Sequence, residues 1–291
     1  AACQAEWYGY KPSFGIVSRF GLIGLIPSME CYGILAKTPR EIVEIVSVLA
    51  VPDERDPSMI QDQAFTGVNM DSQMDAVKTI GVIRESKSML QSEGLKAFQA
   101  FLSRLEKTGV SIQEISLPSY ELFRTVHHAI GSTEASSSAG KYDSVRYGHR
   151  SANAENWNEM YCKSRAESFG VLVKSYLFQG AYFQFKNYPA FEKACRIRRR
   201  LVQEMTALFE SVDFIACPTR CLPTNSKNAD TVDEVYDRFA LTLPANVTGQ
   251  PSIQIPGYAV ADGLDFGLQL MAAHRDDARL LSFAIHLAQS R

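Results

Sequence analysis

Residues 78–118 constrain the fold most tightly, because three runs of different period follow one another there. "KTIGVIRES" (78–86) is an apolar run of strand length. "SEGLKAFQAFLSRLEKTG" (92–109) places Leu95, Phe98, Leu102 and Leu105 on one helical face, with Gly109 near a C-cap. "VSIQEISLP" (110–118) then alternates like a strand. Strand, helix and strand in that order predict two parallel strands joined by a right-handed crossover.

The flanking sequence extends this pattern. Thr38-Pro39-Arg40-Glu41 before "IVEIVSVLA" predicts a helix with Thr38 as N-cap and Pro39 in its first turn. The opening Gly9-Tyr10-Lys11-Pro12 reads as a turn, and Pro52 to Asp75 as a polar surface excursion. Residues 119–210 are mostly helical in pattern and include one long amphipathic helix, "YPAFEKACRIRRRLVQEMTALFESV". "DFIACP", "PSIQIPGY" and "GLDFGLQLMA" read as strands, with Asp262-Gly263 as turn residues. "RDDARLLSFAIHLAQ" closes the chain as a helix. Helices covering a mixed sheet, an α/β sandwich, is the expected fold class.

Composition narrows the function classes. Of 291 residues, 46% are apolar and 21% charged, as in ordinary globular proteins. The net charge of −2 gives no broad polyanion-binding surface, so direct nucleic-acid contact is not expected. "RIRRR" (196–200) reads as a solvated helix face. Six cysteines without C-x-x-C spacing fit neither a zinc site nor a disulfide scaffold. Runs such as "IVSVLAVP" are too short to cross a bilayer. The expectation is a cytoplasmic protein with no membrane segment, no metal and no cofactor.

Motifs for common chemistries are absent from the sequence: no phosphate loop, no dinucleotide fingerprint, no H-E-x-x-H and no G-x-S-x-G elbow. His127-His128 would point about 100° apart on a helix, which suits one of them facing a pocket better than both holding a metal. "STEASSSAG" (132–140) reads as a hydroxyl-rich loop or helix end, with a polar wall of a small-molecule site as the alternative.

A series of blocks carries a resemblance. "GYKPSFGIVSRFGLIGLIPSMECYG" from Gly9, "SLP" at 116–118, "STEASS" at 132–137, "YDSVRYG" at 142–148, "SRAESFG" at 164–170, "CPT" at 217–219, "LPANVTGQPSIQIP" from Leu243 and "GLDFGLQLMA" at 263–272 occur in order along nearly the whole chain. Together they resemble the amidase signature family, and within it the A subunits of tRNA-dependent amidotransferases. The resemblance implies one amidase-signature domain over 1–291, an α/β/α sandwich around a mixed sheet of which this is the C-terminal portion. It implies hydrolysis of a carboxamide with release of ammonia, a small-molecule amide as substrate, and amidotransferase B and C subunits as candidate partners. Two alternatives stay open: an amidase acting on a less polar amide, and a degenerate, non-catalytic scaffold.

In that family a Ser nucleophile is activated through a second Ser and a Lys, and Gly/Ser-loop N–H groups form the oxyanion hole. Ala1-Ala2 matches the tail of that signature. The resemblance therefore places the Ser-Ser-Lys triad upstream of Ala1, with no catalytic residue within an N-terminally truncated 1–291. The amidotransferase relatives hold glutamine with a Tyr, an Arg and an Asp. Ungapped local matching puts these at His127, Tyr176 and Phe239, so all three differ. Glu30, Cys31 and Ile34 also stand where the family usually has Asp, Gln and Pro. A pocket of His, Tyr and Phe suits a less polar or aromatic amide, because an unpaired zwitterion is costly to bury.

Overall fold

The computed structural model describes the chain except residues 1, 3–5, 60–64, 66–67, 69–76, 91, 221–230, 257–258, 261–263, 266 and 290–291. The strands are β1 (Tyr8–Lys11), β2 (Ile34–Ala36), β3 (Thr79–Ile83), β4 (Ser111–Ile115), β5 (Phe214–Pro218), β6 (Ser252–Ile255), β7 (Ala259–Val260), β8 (Leu264–Asp265) and β9 (Leu268–Met271). The helices are α1 (Pro39–Leu49), α2 (Arg84–Lys87), α3 (Ser92–Glu106), α4 (Leu122–Ser138), α5 (Trp157–Ser168), α6 (Val171–Phe185), α7 (Tyr188–Leu208), α8 (Val232–Phe239), α9 (Leu243–Thr248) and α10 (Asp277–Gln289).

β3, α3 and β4 form the expected unit, with β3 and β4 parallel and Ile80 opposite Ile112. Phe98, Phe101 and Leu105 form the buried stripe of α3, while Leu95 is exposed, so the stripe is rotated from the expected one. β5 adds in parallel on the other side of β3. β9, β6, β1 and β2 then continue the sheet antiparallel, giving the order β2-β1-β6-β9-β5-β3-β4. β7 and β8 pair as a separate two-stranded ribbon. The Asp262-Gly263 turn lies outside the described residues.

β5 is buried along its whole length, and its alternation defines two cores. Phe214 and Ala216 pack with Ile42 and Val46 of α1, Phe98 of α3 and Leu281 of α10. Ile215 and Cys217 pack with Val126 and Ile130 of α4, Leu201 and Met205 of α7 and Val247 of α9. The molecule is thus an α/β/α sandwich on a mixed sheet.

Local chemistry sets the boundaries. Thr38 accepts from the Glu41 N–H at 3.2 Å, and the Glu41 carboxylate accepts from the Thr38 N–H at 3.1 Å, a reciprocal cap at the start of α1. Gly9-Tyr10-Lys11 belongs to strand β1 and is not a turn. Tyr8 and Tyr10 alternate inward, and Pro12 ends the strand by removing a ladder donor. The apolar run at 78–86 leaves the sheet at Ile83, where the Ser86 hydroxyl donates back to the Ile83 carbonyl at 2.7 Å and starts α2. The "STEASS" segment lies inside α4 and not in a loop. In "RIRRR", Arg196, Arg199 and Arg200 are exposed, but Arg198 turns inward. It donates to the Val247 carbonyl at 2.8 Å and to the Ser28 carbonyl at 2.7 Å.

Asp277, 2% exposed in the first turn of α10, joins that helix to β1. It accepts from the Ser13 N–H at 2.8 Å, the Ser13 hydroxyl at 2.5 Å and the Tyr10 hydroxyl. The buried carboxylate is stabilised by these donors and by the helix N-terminus.

α4 and α6 cross at glycine. A Cβ on Gly180 would lie 1.8 Å from the Ser132 carbonyl oxygen and 2.8 Å from the Ser136 Cβ. Only a residue without a Cβ allows this approach. Gly180→Ala should lower stability by about 2 kcal/mol and the melting temperature by roughly 5 °C. Gly140→Ala, which would meet nothing within 4 Å, should leave the melt within about 1 °C of the parent.

Candidate active site pocket

The α4–α6 crossing leaves a cavity of about 440 Å³ bounded by α4, α6, α8, α9 and Leu25-Ile26. α8 closes one wall. Thr231 caps it by accepting from the Glu234 N–H at 3.2 Å, while the Glu234 carboxylate accepts from the Thr231 N–H at 3.3 Å. Val232, Val235, Tyr236 and Phe239 then fall on the inner side at helical spacing.

His127, Tyr176 and Phe239, which the sequence matching singles out separately, all line this one cavity. Sequence reasoning missed Tyr236, which joins two of them. Its hydroxyl lies 2.8 Å from His127 Nδ1 and 3.3 Å from the Tyr176 hydroxyl. The His127 and Tyr236 rings meet edge to face at 5.5 Å, and His128 stacks on Tyr176 at 5.9 Å. Phe239 follows Tyr236 by about one helical turn and is 52% exposed. The sequence signal for Tyr236 was the T-x-x-E cap followed by apolar residues at 232, 235, 236 and 239. None of the hydroxyls of residues 132–137 lines the cavity.

No Asp, Glu, Lys or Arg stands among the described residues lining the cavity. Burial, and then the neighbouring His128 and Arg198, push His127 down to about 4, so its ring is neutral at pH 7. Burial also lowers His128 and raises the phenols of Tyr176 and Tyr236. The nearby cations are engaged elsewhere. Arg124 pairs with Asp237 at 2.6 Å and Asp233 at 3.0 Å while lying 5.7 Å from the Tyr236 ring centre. Arg198 is held by the Val247 and Ser28 carbonyls.

Phe239, Thr242 and Asn246 also line a second hollow of about 390 Å³. That hollow carries Lys11, Arg220, Arg238, Thr219, Gln254 and Gln269, and no carboxylate among its described lining residues. An apolar chamber therefore adjoins a cationic one across Phe239. Among the described residues, no group of three His, Cys, Asp or Glu is placed to hold a metal ion. None of their helices is long and apolar enough to cross a membrane.

Comparison with known proteins gives the family to which this fold belongs. The amidase family model matches residues 1–281, so the chain belongs to the amidase family. It is 33% identical over 282 residues to the A subunit of glutamyl-tRNA(Gln) amidotransferase from Streptococcus gordonii, covering 95% of this chain and 57% of that protein. It is also 33% identical over 293 residues to the mitochondrial counterpart from Drosophila pseudoobscura, with the same coverage. The chain thus spans a little over half the length of these curated relatives. The crystal structure of the Thermotoga maritima counterpart superposes with a TM-score of 0.75 at 21% identity, covering 98% of this chain and 58% of that one. A bacterial aryl acylamidase superposes with a TM-score of 0.78 at 17% identity, covering 99% and 59%.

His127 supplies a pH test. The unfolded imidazole takes a proton near pH 6.5, whereas the folded one stays neutral down to about 4. Acidification through that window favours the unfolded state and removes up to roughly 3 kcal/mol, at about 1.4 kcal/mol per pH unit. Below about pH 4 this contribution levels off. Denaturant unfolding at about pH 7 and pH 4.5 should show a clearly smaller loss in His127→Asn than in the parent.

Proposed function

We propose that this chain carries the substrate pocket of an amidase that cleaves a carboxamide C–N bond and releases ammonia. The observation that carries the reading is the convergence of His127, Tyr176 and Phe239 on one cavity, in a chain that belongs to the amidase family. The resemblance assigns those positions to substrate contact. The Gly/Ser-rich nucleophile loop is not within residues 1–291, so the catalytic Ser-Ser-Lys set comes from the part of its relatives' length that this chain does not match. In this reading the Ser oxygen bonds to the amide carbon, the C–N bond breaks, and the leaving nitrogen takes a proton from the relay. Water then releases the acyl group as a carboxylic acid. The residues of this chain hold and orient the acyl group, which turns a bimolecular encounter into a positioned one.

A second reading is favoured by the identity to two amidotransferase A subunits. Here the protein works in the cytoplasm with B and C subunits and supplies ammonia to tRNA-bound amidation. Co-purification with B and C subunits encoded in the same genome tests it, and a monomeric elution in their presence rejects it.

For the amidase reading, residues 1–291 alone should release no ammonia from carboxamides above the buffer blank. Joined to a segment carrying the Gly/Ser loop and Lys, the folded chain should turn over. Loss of the nucleophile commonly costs many orders of magnitude, so the contrast is wide. Turnover that follows residues 1–291 through gel filtration would overturn this division of labour. An inert but folded joined protein would overturn the amidase reading itself.

A further inference from the structure

At the heart of the apolar chamber, His127 Nδ1 and the hydroxyls of Tyr176 and Tyr236 are partnered with one another in its wall. The Tyr236 hydroxyl bridges His127 Nδ1 and the Tyr176 hydroxyl. An apolar group can therefore cover these atoms without stranding a donor or acceptor, which removes the usual cost of seating hydrocarbon on polar side chains. The surrounding surface is made for such a group: Leu172, Val173, Leu177, Val235 and Leu243 stand around the aromatic rings. A volume of about 440 Å³ holds a phenyl ring with a short chain.

Charge excludes the alternative. An α-ammonium would meet no carboxylate among the described lining residues of either hollow. Of the acids on α8, Asp233 and Asp237 are taken up by Arg124, and Glu234 accepts from the Thr231 N–H in the helix cap. A buried ammonium without a counter-charge is strongly disfavoured. Thr242 and Asn246, shared with the second hollow, offer polar contacts to the amide end of a ligand whose ring lies in the chamber.

We infer that the paired Tyr176–Tyr236–His127 wall and the uncharged lining make this chamber a receptor for the aromatic acyl part of an uncharged amide, and that Phe239 determines the exclusion of α-amino amides. The inference rests on the amidase reading for its role, but the chamber's preference is a property of residues 1–291 and is measured by binding alone. The probes are 3-phenylpropionamide, L-phenylalaninamide and L-glutamine. The first two differ only by the α-amine, which is protonated at about pH 6, where His127 is still neutral.

Calorimetric titration should show 3-phenylpropionamide binding at least tenfold more tightly than L-phenylalaninamide, with no saturable binding of glutamine. Phe239→Asp, a change at a half-exposed position, should bring the two aromatic amides to within about twofold. Val173→Trp, which fills the chamber from α6, should abolish binding of 3-phenylpropionamide. Equal binding of the two aromatic amides, tighter binding of glutamine, no binding of 3-phenylpropionamide, or binding that survives Val173→Trp would each overturn the inference. An unchanged preference in Phe239→Asp would overturn the role given to Phe239. None of these outcomes bears on ammonia release by the joined protein, so the two readings fail separately.

Discussion

The pocket depends on how closely two helices can approach. At Gly180 the backbone of α6 meets the Ser132 carbonyl of α4 at a distance that no Cβ would permit. That contact fixes the spacing of the helices, and the spacing brings Tyr176, about one turn before Gly180, against His128, about one turn before Ser132. The neighbouring Gly131 continues the same economy of volume, since a Cβ there would lie 2.5 Å from the Tyr176 hydroxyl. Small residues on α4 thus do at the helix crossing what large ones do elsewhere in the core: they set a distance. α8 then needs only its cap and its inward aromatics to complete the chamber.

The chamber's electrostatics follow from what its neighbours have already bound. Two arginines stand close, yet one is held by two aspartates and the other by backbone carbonyls. Desolvation keeps both histidines below their ordinary values. The result is a half-open hollow that is aromatic, hydrogen-bonded and without charged lining residues among those described, beside a second hollow that is cationic. A long ligand would cross from one dielectric environment to the other at Phe239, Thr242 and Asn246.

Much of the sandwich was readable from periodicity. The β3–α3–β4 unit, the reciprocal cap at Thr38 and the long helix α7 each show a pattern that survives without tertiary context. Three features did not. Gly9-Tyr10-Lys11-Pro12 has turn-like composition but is drawn into the sheet by strands on both sides. The serine-rich half of α4 looks like a loop because small hydroxyl residues have low helix propensity. Burial beneath α6 overrides that preference, with Thr133 returning its hydroxyl to the Ala129 carbonyl at 2.7 Å. Tyr236 sits in a short segment with four acids and a single base, "DTVDEVYDR", so its inward direction is visible only when the cap phase of α8 is read together with Val232 and Val235. Ordered motif matching found His127, Tyr176 and Phe239 as separate positions. Their shared wall is a long-range property that local spacing does not contain.

The threading of the sheet has a consequence for the order of assembly. β3, α3 and β4 are neighbours along the chain and can pair as soon as they emerge. β1 is different: Gly9 lies opposite Gln254, and the Tyr10 and Ser13 hydroxyls donate to Asp277 at the start of α10. During synthesis the first described strand must wait, with two tyrosines and an open edge, until residues 252–255 and then Asp277 have been made. Such distant pairing is slow and leaves an unpaired edge open to the wrong partner. α10 therefore acts as a clasp on β1 through Asp277, and a nascent chain stalled before β6 would present that edge to chaperones or to another copy of itself.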